Sequence, residues 1–470
     1  MADTHDVIVI GAGAAGLTAA GGCALFGLKV ALVEKSAMGG DCLNTGCVPS
    51  KALIAAAASA QSAATADRFG IQLNGRQVDF RAVHAYVRRS IERIAPNDSR
   101  ERFEALGVEV IAGRARFINE RSVAVADRTL SAPRIVIATG SRPRVPNVPG
   151  LGDVPFLTNE TLFDLTERPR HLAILGGGPI GIEMAQAFRR LGSEVTLLEA
   201  GRCLSQEDPD AATIVLARLR AEGVRIDEQS RAAKVRRQGG DICIADESGP
   251  AIMASHLLVA VGRFTDFDGL ELSAAGVASG ENGIRVDERR RTSNPHIYAI
   301  GDCREGPRFT HVAGHEGSVV ALNIALGWPA KVDVRALPRV TYSDPELAQV
   351  GMTEAEARER FGSVDVRTAP FSHDDRAITA DEAEGFVKMV RAKRRLVGVT
   401  IVGAHAGEML LPWSLAIRGK ASPFAIADAI VAYPTRTEQS KAAAFAAYEG
   451  LIFHPHVKRW AALLARLRRR

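Results

Sequence analysis

No stretch of this 470-residue chain approaches the roughly 20 consecutive apolar residues that a membrane-spanning helix needs, so a membrane-embedded protein is not expected. The opening MADTHDVIVIG enters a strand pattern at once and lacks the charged, then apolar, then small-residue order of an export signal. Charge of one sign is scarce as well. The 59 Lys and Arg stand against 54 Asp and Glu, too small an excess to argue for nucleic acid. Six of those positive charges fall after residue 457, and the rest of the chain is close to neutral. Cysteine is sparse, and four of the six (Cys23, Cys203, Cys243, Cys303) are isolated, which is no disulfide framework and points to a reducing, cytoplasmic compartment. A hydrophobic content of 46% is ordinary for a soluble globular protein, and the length suggests about three domains.

The other two cysteines lie close together, in Gly39 to Lys51, GGDCLNTGCVPSK. Cys42 and Cys47 are five apart, and Gly46 and Pro49 bend a helix start so that the two sulfurs can close a small ring. A ring that short contributes only about 2 kcal/mol through loop-closure entropy, little for a chain that can bury a large core. Redox chemistry explains the pair better. Zinc usually takes four nitrogen or sulfur ligands, and no second close cysteine pair exists, so no metal site is expected.

Upstream, DVIVI (6–10) reads as a buried strand, followed by Gly11-Ala-Gly13-Ala-Ala-Gly16, an Ala-rich helix and a second strand ending in Glu34. A dinucleotide site demands this order. Glycines let the backbone approach a pyrophosphate at a helix N-terminus, and the acid accepts a ribose hydroxyl. The unit returns at 171–199 with Gly176, Gly178 and Gly181, ending in Glu199, and the distance from first glycine to acid is 23 residues in both copies. Two dinucleotides are therefore expected. Glu199 would repel a 2′-phosphate, which favours NADH over NADPH, although Arg202 stands three residues on.

CLNTGCVPSK resembles the redox-active disulfide of the pyridine nucleotide-disulfide oxidoreductases, a family that includes dihydrolipoamide dehydrogenase, glutathione reductase and mercuric reductase. The resemblance runs from Asp6 to about Phe445. It implies that Cys47 lies against the flavin as the charge-transfer thiolate and that Cys42 is the interchange thiol that meets the substrate. Lys51 and Glu183 would form an ion pair beside the flavin. The first glycine unit would hold FAD on Gly11, Gly13, Gly16, Glu34 and Lys35, and the ATGSRP turn would add Thr139, Gly140 and Ser141. Gly301 and Asp302 would bond the ribityl hydroxyls, with Thr310 and His311 on the next flavin-proximal turn. The second unit would hold NADH on Gly176, Gly178, Gly181 and Glu199, with Gly262 nearby.

The expected fold is α/β: two Rossmann-like domains for FAD and NAD(P), and an α+β C-terminal dimerisation domain. Expected boundaries are 1–146 for the first part of the FAD domain, ending in the proline-rich linker RPRVPNVPGLGDVP, and 147–266 for the NAD domain. A central segment, 267–336, would return to FAD, 337–450 would form the interface domain of a homodimer, and 451–470 a basic amphipathic tail.

In dithiol-handling members of the family a histidine near the end of the interface domain, with a glutamate five residues on, reaches the opposite subunit's disulfide. Here Tyr433 replaces the histidine and Glu438 remains. An imidazole shuttles protons near neutrality and a phenol, with a pKa near 10, mostly does not, so efficient exchange with lipoamide or glutathione is in doubt. Mercuric reductases also carry tyrosine there, which points to a metal ion or another non-thiol acceptor. They also carry a late vicinal cysteine pair and an amino-terminal metal-binding extension, and neither is expected here, since no cysteine follows Cys303 and the glycine fingerprint begins at residue 6.

Two other readings stay open: a quinone or diaphorase-type reductase acting directly from flavin, and a membrane-associated redox-sensing flavoprotein. The second rests on the tail. Val457, Trp460, Leu464 and Leu467 recur at helical spacing among Lys458, Arg459, Arg466, Arg468, Arg469 and Arg470. Such a helix either packs its Trp on the parent domain or lies on anionic lipid. His454 and His456 read as surface residues.

Overall fold

Strand Val7–Ile10 (β1) has all four side chains buried, and its period of two divides them between two layers. In the computed structural model, which describes residues 3–469 apart from 74, 76 and 248, Val7 and Val9 pack with helix Ala14–Leu25 (α1), while Ile8 and Ile10 pack toward an antiparallel layer built from residues 115–131. Burial on both faces is why the strand reads as an unbroken apolar run. Strand Val30–Glu34 (β2) follows, then the short helix Gly40–Asn44 (α2) and the long helix Cys47–Ala64 (α3), then strands Val108–Ala112 (β3) and Arg134–Ile137 (β4).

The second half of this unit repeats the first. Strand His171–Leu175 (β5) leads into helix Pro179–Arg190 (α4) and strand Glu194–Glu199 (β6). Strand Arg225–Glu228 (β7) and strand His256–Val259 (β8) complete the series, and helix Pro209–Ala221 (α5), between β6 and β7 in the chain, belongs to the second unit. β1 lies between β2 and β4, and β5 lies between β6 and β8, with every pair parallel. The repeat is thus one of topology. Strand Ile297–Ala299 (β9) then returns to the first sheet beside β4, giving the order β9-β4-β1-β2-β3. Helix Thr310–Leu326 (α6) follows and lies close against α1. Small residues make that approach possible: a Cβ on Gly22 would come within 2.8 Å of the Ala321 Cβ.

Residues 202–223 and 334–470 form the second compact unit. Its sheet is antiparallel, built from Pro338–Thr341 (β10), Glu346–Gly351 (β11), Asp365–Pro370 (β12), Phe386–Ala392 (β13) and Arg395–Gly403 (β14), in the order β10-β11-β14-β13-β12. Trp413, on helix Leu411–Ile417 (α7), is fully buried against it, and its indole N–H donates to Ser440 Oγ on helix Thr437–Ala446 (α8). α5 joins this unit through its N-terminal acids. Asp208 caps the helix and pairs with the buried Lys388 at 2.8 Å, and Glu207 pairs with Arg339 at 3.0 Å. The last helix is Pro455–Leu467 (α9), and Arg470 of the expected tail lies outside the described residues.

Candidate functional site

The two glycine units agree atom by atom. Gly11 and Gly176 adopt φ of +106° and +112°, where a side chain is strained, and a Cβ on either would run into the carbonyl oxygen after the neighbouring strand, of Ala138 or of Ala260. A Cβ on Gly16 or Gly181 would collide with the backbone of Gly11 or Gly176. The acids close both turns in the same way. Glu34 accepts from the backbone N–H of Ala12 at 2.6 Å and of Ser36 at 2.8 Å. Glu199 accepts from Gly177 at 2.7 Å and from Gly201 at 2.8 Å. The helices that follow, α1 and α4, begin at Gly13 and Gly178 with no side-chain cap and no acid in the first turn. Their first N–H groups are left for an anion.

A cavity of 470 Å³ runs from the first of these turns to Cys42, while Cys47 is exposed and lies outside its lining. Glu34 and Lys35 line it, as do Cys42, Asp302 and Thr310. Burial pushes the Lys35 ammonium pKa down, and Arg142 and Arg114 add to the shift. Burial pushes the Asp302 carboxyl up, while Ser141 Oγ, which donates to Asp302 Oδ2 at 2.9 Å, works against it. Thr139 Oγ1, buried in the lining, has no hydrogen-bond partner among the described residues. Uncapped helix start, glycine turn, acid and orphaned hydroxyl together fit FAD. His311 stands apart: it is exposed, its ring stacks on Phe309 at 5.3 Å, and it is not part of the lining.

Cys42 sits in the middle of α2 and Cys47 opens α3, so the bend expected of Gly46 is a break between two helices, with Gly46 as the N-cap of the second. Both thiols are free in this structure. They are not equivalent. The Cys42 hydrogen bond holds the Cys47 thiol down, at about 6, helped by Thr310 Oγ1 at 3.3 Å and by the Lys51 charge against the cost of burial. Cys42 is pushed far up, first by its bond to Cys47 and then by burial. The pair therefore splits into a thiolate at Cys47 and a thiol at Cys42, and the start of an 18-residue helix favours the anion at that end. Lys51, one turn on, donates to Glu183 Oε2 at 2.9 Å, and Glu183 is buried in α4.

Three groups that the sequence pattern did not single out tie this site together. Arg263, immediately after Gly262, pairs with Asp41 and donates to Ser141 Oγ at 2.7 Å and to Ser141 O at 2.8 Å. Asn159 Nδ2 donates to Thr45 O at 3.3 Å, at the other end of α2. Arg308 Nη1 donates to the Arg263 carbonyl at 2.7 Å. An arginine directly after a strand-ending glycine was the available signal for Arg263.

Tyr433 and Glu438 belong to the second unit. Tyr433 is exposed, and its hydroxyl donates to Asp375 Oδ2 at 2.8 Å, which pushes the phenol pKa up. Glu438 Oε2 accepts from Thr435 N at 3.3 Å. Among the described residues no group of three or more His, Cys, Asp or Glu is placed to hold a metal ion, and no helix is long and apolar enough to cross a membrane.

Residues 5–317 match the family model for pyridine nucleotide-disulphide oxidoreductases, and residues 337–444 match that for their dimerisation domain. Mercuric reductase of Streptomyces lividans is 36% identical over 453 residues, covering 94% of this chain and 95% of that protein. Dihydrolipoyl dehydrogenase of Bacillus subtilis (strain 168) is 36% identical over 452 residues, covering 93% and 95%. The Cu(II) complex of the HOCl-induced flavoprotein disulfide reductase RclA from Escherichia coli superposes with a TM-score of 0.85 at 28% identity, covering 94% of this chain and 99% of that one.

Proposed function

The chain belongs to the pyridine nucleotide-disulphide oxidoreductase family, and from that premise we propose that it carries electrons from NADH through the Cys42–Cys47 pair to a thiophilic metal ion rather than to a dithiol. It is an FAD-dependent oxidoreductase that draws on a pyridine nucleotide and passes the electrons to a redox-active disulfide. FAD held by the first glycine turn, Glu34, Lys35 and Asp302 would supply the two-electron relay between the nicotinamide and the disulfide. The carrying observation is the split thiol pair. Opening the S–S bond takes two electrons and one proton, and the raised Cys42 and lowered Cys47 thiols support a proton on Cys42 and a charge on Cys47.

On this reading Cys47 is held as the thiolate by Thr310 and balanced by Lys51, while Cys42 meets the acceptor. A soft cation binds sulfur as the thiolate, so its binding at Cys42 would release the Cys42 proton. The metal preference rests on Tyr433. A phenol held protonated by Asp375 does not take up and release protons near neutrality, as exchange with a dithiol requires. Mercuric reductases among the relatives, and the Cu(II) complex of RclA, support the same choice. Tyr433 and Glu438 would act in the site of the partner subunit of a homodimer, in keeping with the dimerisation-domain match. The domain division is taken as FAD (1–146 and 267–336), NAD (147–266) and interface (337–450).

The nucleotide is NADH on this reading because Glu199, already fixed by two backbone donors, leaves a carboxylate where a 2′-phosphate would have to sit. Anaerobic titration of the flavin-loaded protein with NADH tests the whole path. A long-wavelength absorbance band after two electrons, missing in Cys42→Ser or Cys47→Ser, is expected. Turnover should then follow with Hg(II) or Cu(II) and be poor with lipoamide. Simple bleaching with no such band places the cysteines outside the path. Faster turnover with lipoamide than with either metal ion overturns the acceptor, and equal kcat/KM for NADPH overturns the nucleotide preference.

A further inference from the structure

The net positive charge of this chain resides in its tail. Residues before Lys458 carry 53 Lys and Arg against 54 Asp and Glu, whereas residues 458–470 hold six Lys and Arg and no acid. Within that stretch α9 is a continuous helix, opened by Pro455 at its first position and by His454 Nδ1, which accepts from His456 N at 3.4 Å. At about 3.6 residues per turn, Val457, Trp460, Leu463, Leu464 and Leu467 share one face, and Lys458, Arg459 and Arg466 take the opposite one. Arg468 and Arg469 follow at the C-terminal end, where the helix dipole favours cations.

The apolar face is not spent on the protein. Trp460 and Leu467 are each 60% exposed, Val457 and Leu463 nearly half, and no residue of α9 is buried. Trp413 in the same unit, by contrast, is fully buried. A terminal helix that packed its tryptophan on the parent domain would look like the latter. α9 also lies beyond residue 444, where the dimerisation-domain match ends.

We propose that α9 is a peripheral membrane anchor that lies in the interface of an anionic bilayer, its apolar side chains at the acyl boundary and its cations among the lipid phosphates. Charge decides between this occupant and a second copy of the helix. A symmetric pairing of α9 with itself brings basic ends and flanks of like sign together, whereas an anionic lipid surface neutralises them all. A wide apolar face that carries a Trp, and a basic opposite face, are what an interfacial helix requires.

The test uses the full flavin-loaded chain, floated through a density gradient with vesicles of phosphatidylcholine alone or of phosphatidylcholine with phosphatidylglycerol. Flotation is expected only with the phosphatidylglycerol vesicles, and high salt should release the protein. Each Lys or Arg near such a surface is worth about fivefold in partitioning, so Arg466→Gln/Arg468→Gln/Arg469→Gln should lose about a hundredfold. Trp460→Glu/Leu467→Glu should not float at all. Both variants should keep NADH-dependent dye reduction and the oligomeric mass of the parent, which separates lost docking from lost folding. Failure of the parent to float with phosphatidylglycerol, or unchanged flotation of the arginine variant, overturns the proposal. So does a fall in oligomeric mass in Trp460→Glu/Leu467→Glu, since a second copy would then be what covers the face.

Discussion

Arg263 and Asp41 form an ion pair one residue away from Cys42. The same guanidinium bonds Ser141, whose hydroxyl holds Asp302, and it reaches Asn159, which in turn holds the far end of α2 at Thr45. One side chain thus links the helix carrying Cys42 to Ser141 and Asp302 in the cavity lining. Arg263 positions these groups and touches no sulfur in the structure.

Replacing Arg263 by Met should loosen the cavity and α2 together. Hydrogen bonds to charged groups contribute about 1.5–3 kcal/mol each, and partial exposure of Asp41 reduces its share, so flavin affinity should fall at least tenfold. Arg263→Lys keeps the charge without the planar fork and should recover only part of the loss. Flavin released on dialysis, with kcat and the KM for NADH measured after reloading, separates the effects: kcat should drop while KM moves little. Wild-type flavin retention in Arg263→Met would remove this role.

The lowered thiol of Cys47 carries a pH signature. Its folded value of about 6 lies below the ordinary thiol value of 9.0, so the charge on Cys47 favours the folded, reduced protein at high pH. That contribution is fully present above the unfolded value and is lost as pH falls through about 6. The thiolate absorbance of the two-electron-reduced protein should therefore disappear over the same interval. Cys42→Ser replaces the largest stabilising bond, and the midpoint should shift upward. A midpoint near that of a free thiol in the parent protein would contradict the split.

Lys51 and Glu183 should move that midpoint in opposite directions. Lys51 lowers the Cys47 thiol and Glu183 raises it, although the two residues bond each other. Lys51→Met should raise the midpoint and Glu183→Gln lower it, each by a fraction of a pH unit to about one unit, the range a single nearby charge produces in a partly exposed site. Shifts of the same sign in both variants would show that the pair acts by holding α3 against α4 and not by its charges.

Much of this architecture is legible in the residues because backbone geometry leaves little choice. Only glycine fits φ above +100° at Gly11 and Gly176, and only an acid at Glu34 and Glu199 can tie down the turn, so motif and structure coincide. Buried β1 and β5 likewise announce themselves as apolar runs. What stayed hidden depends on the folding of distant segments onto one another. Arg263 meets Asp41 across 222 positions, and no local period encodes that. His311 matches a flavin-side position by alignment of pattern yet is exposed outside the lining, because α6 turns it away one residue after Thr310. The attachment of α5 to the second unit depends on Asp208 finding Lys388, 180 residues on.

Glu316 was equally silent, standing in α6 between glycines. Its side chain is fully buried, and Oε1 accepts from Arg290 Nε and from Arg304 Nε, both at 2.8 Å, while Oε2 accepts from Gly301 N at 2.8 Å. The carboxylate therefore pairs with two buried guanidinium groups, offsetting one of their two charges, and fixes the turn that presents Asp302. Removing one partner from such a cluster leaves uncompensated buried charge, at a cost of about 3–5 kcal/mol. Glu316→Gln should lower the unfolding midpoint and release flavin, since the amide can still accept from Gly301 but cannot balance Arg290 and Arg304. Glu167→Gln, which breaks the exposed Arg81–Glu167 pair at 3.0 Å, is the matched control and should cost under about 1 kcal/mol. Calorimetry with flavin fluorescence as a second signal separates the two cases. If Glu316→Gln melts with the control and keeps its flavin, the buried cluster does not hold the Asp302 turn.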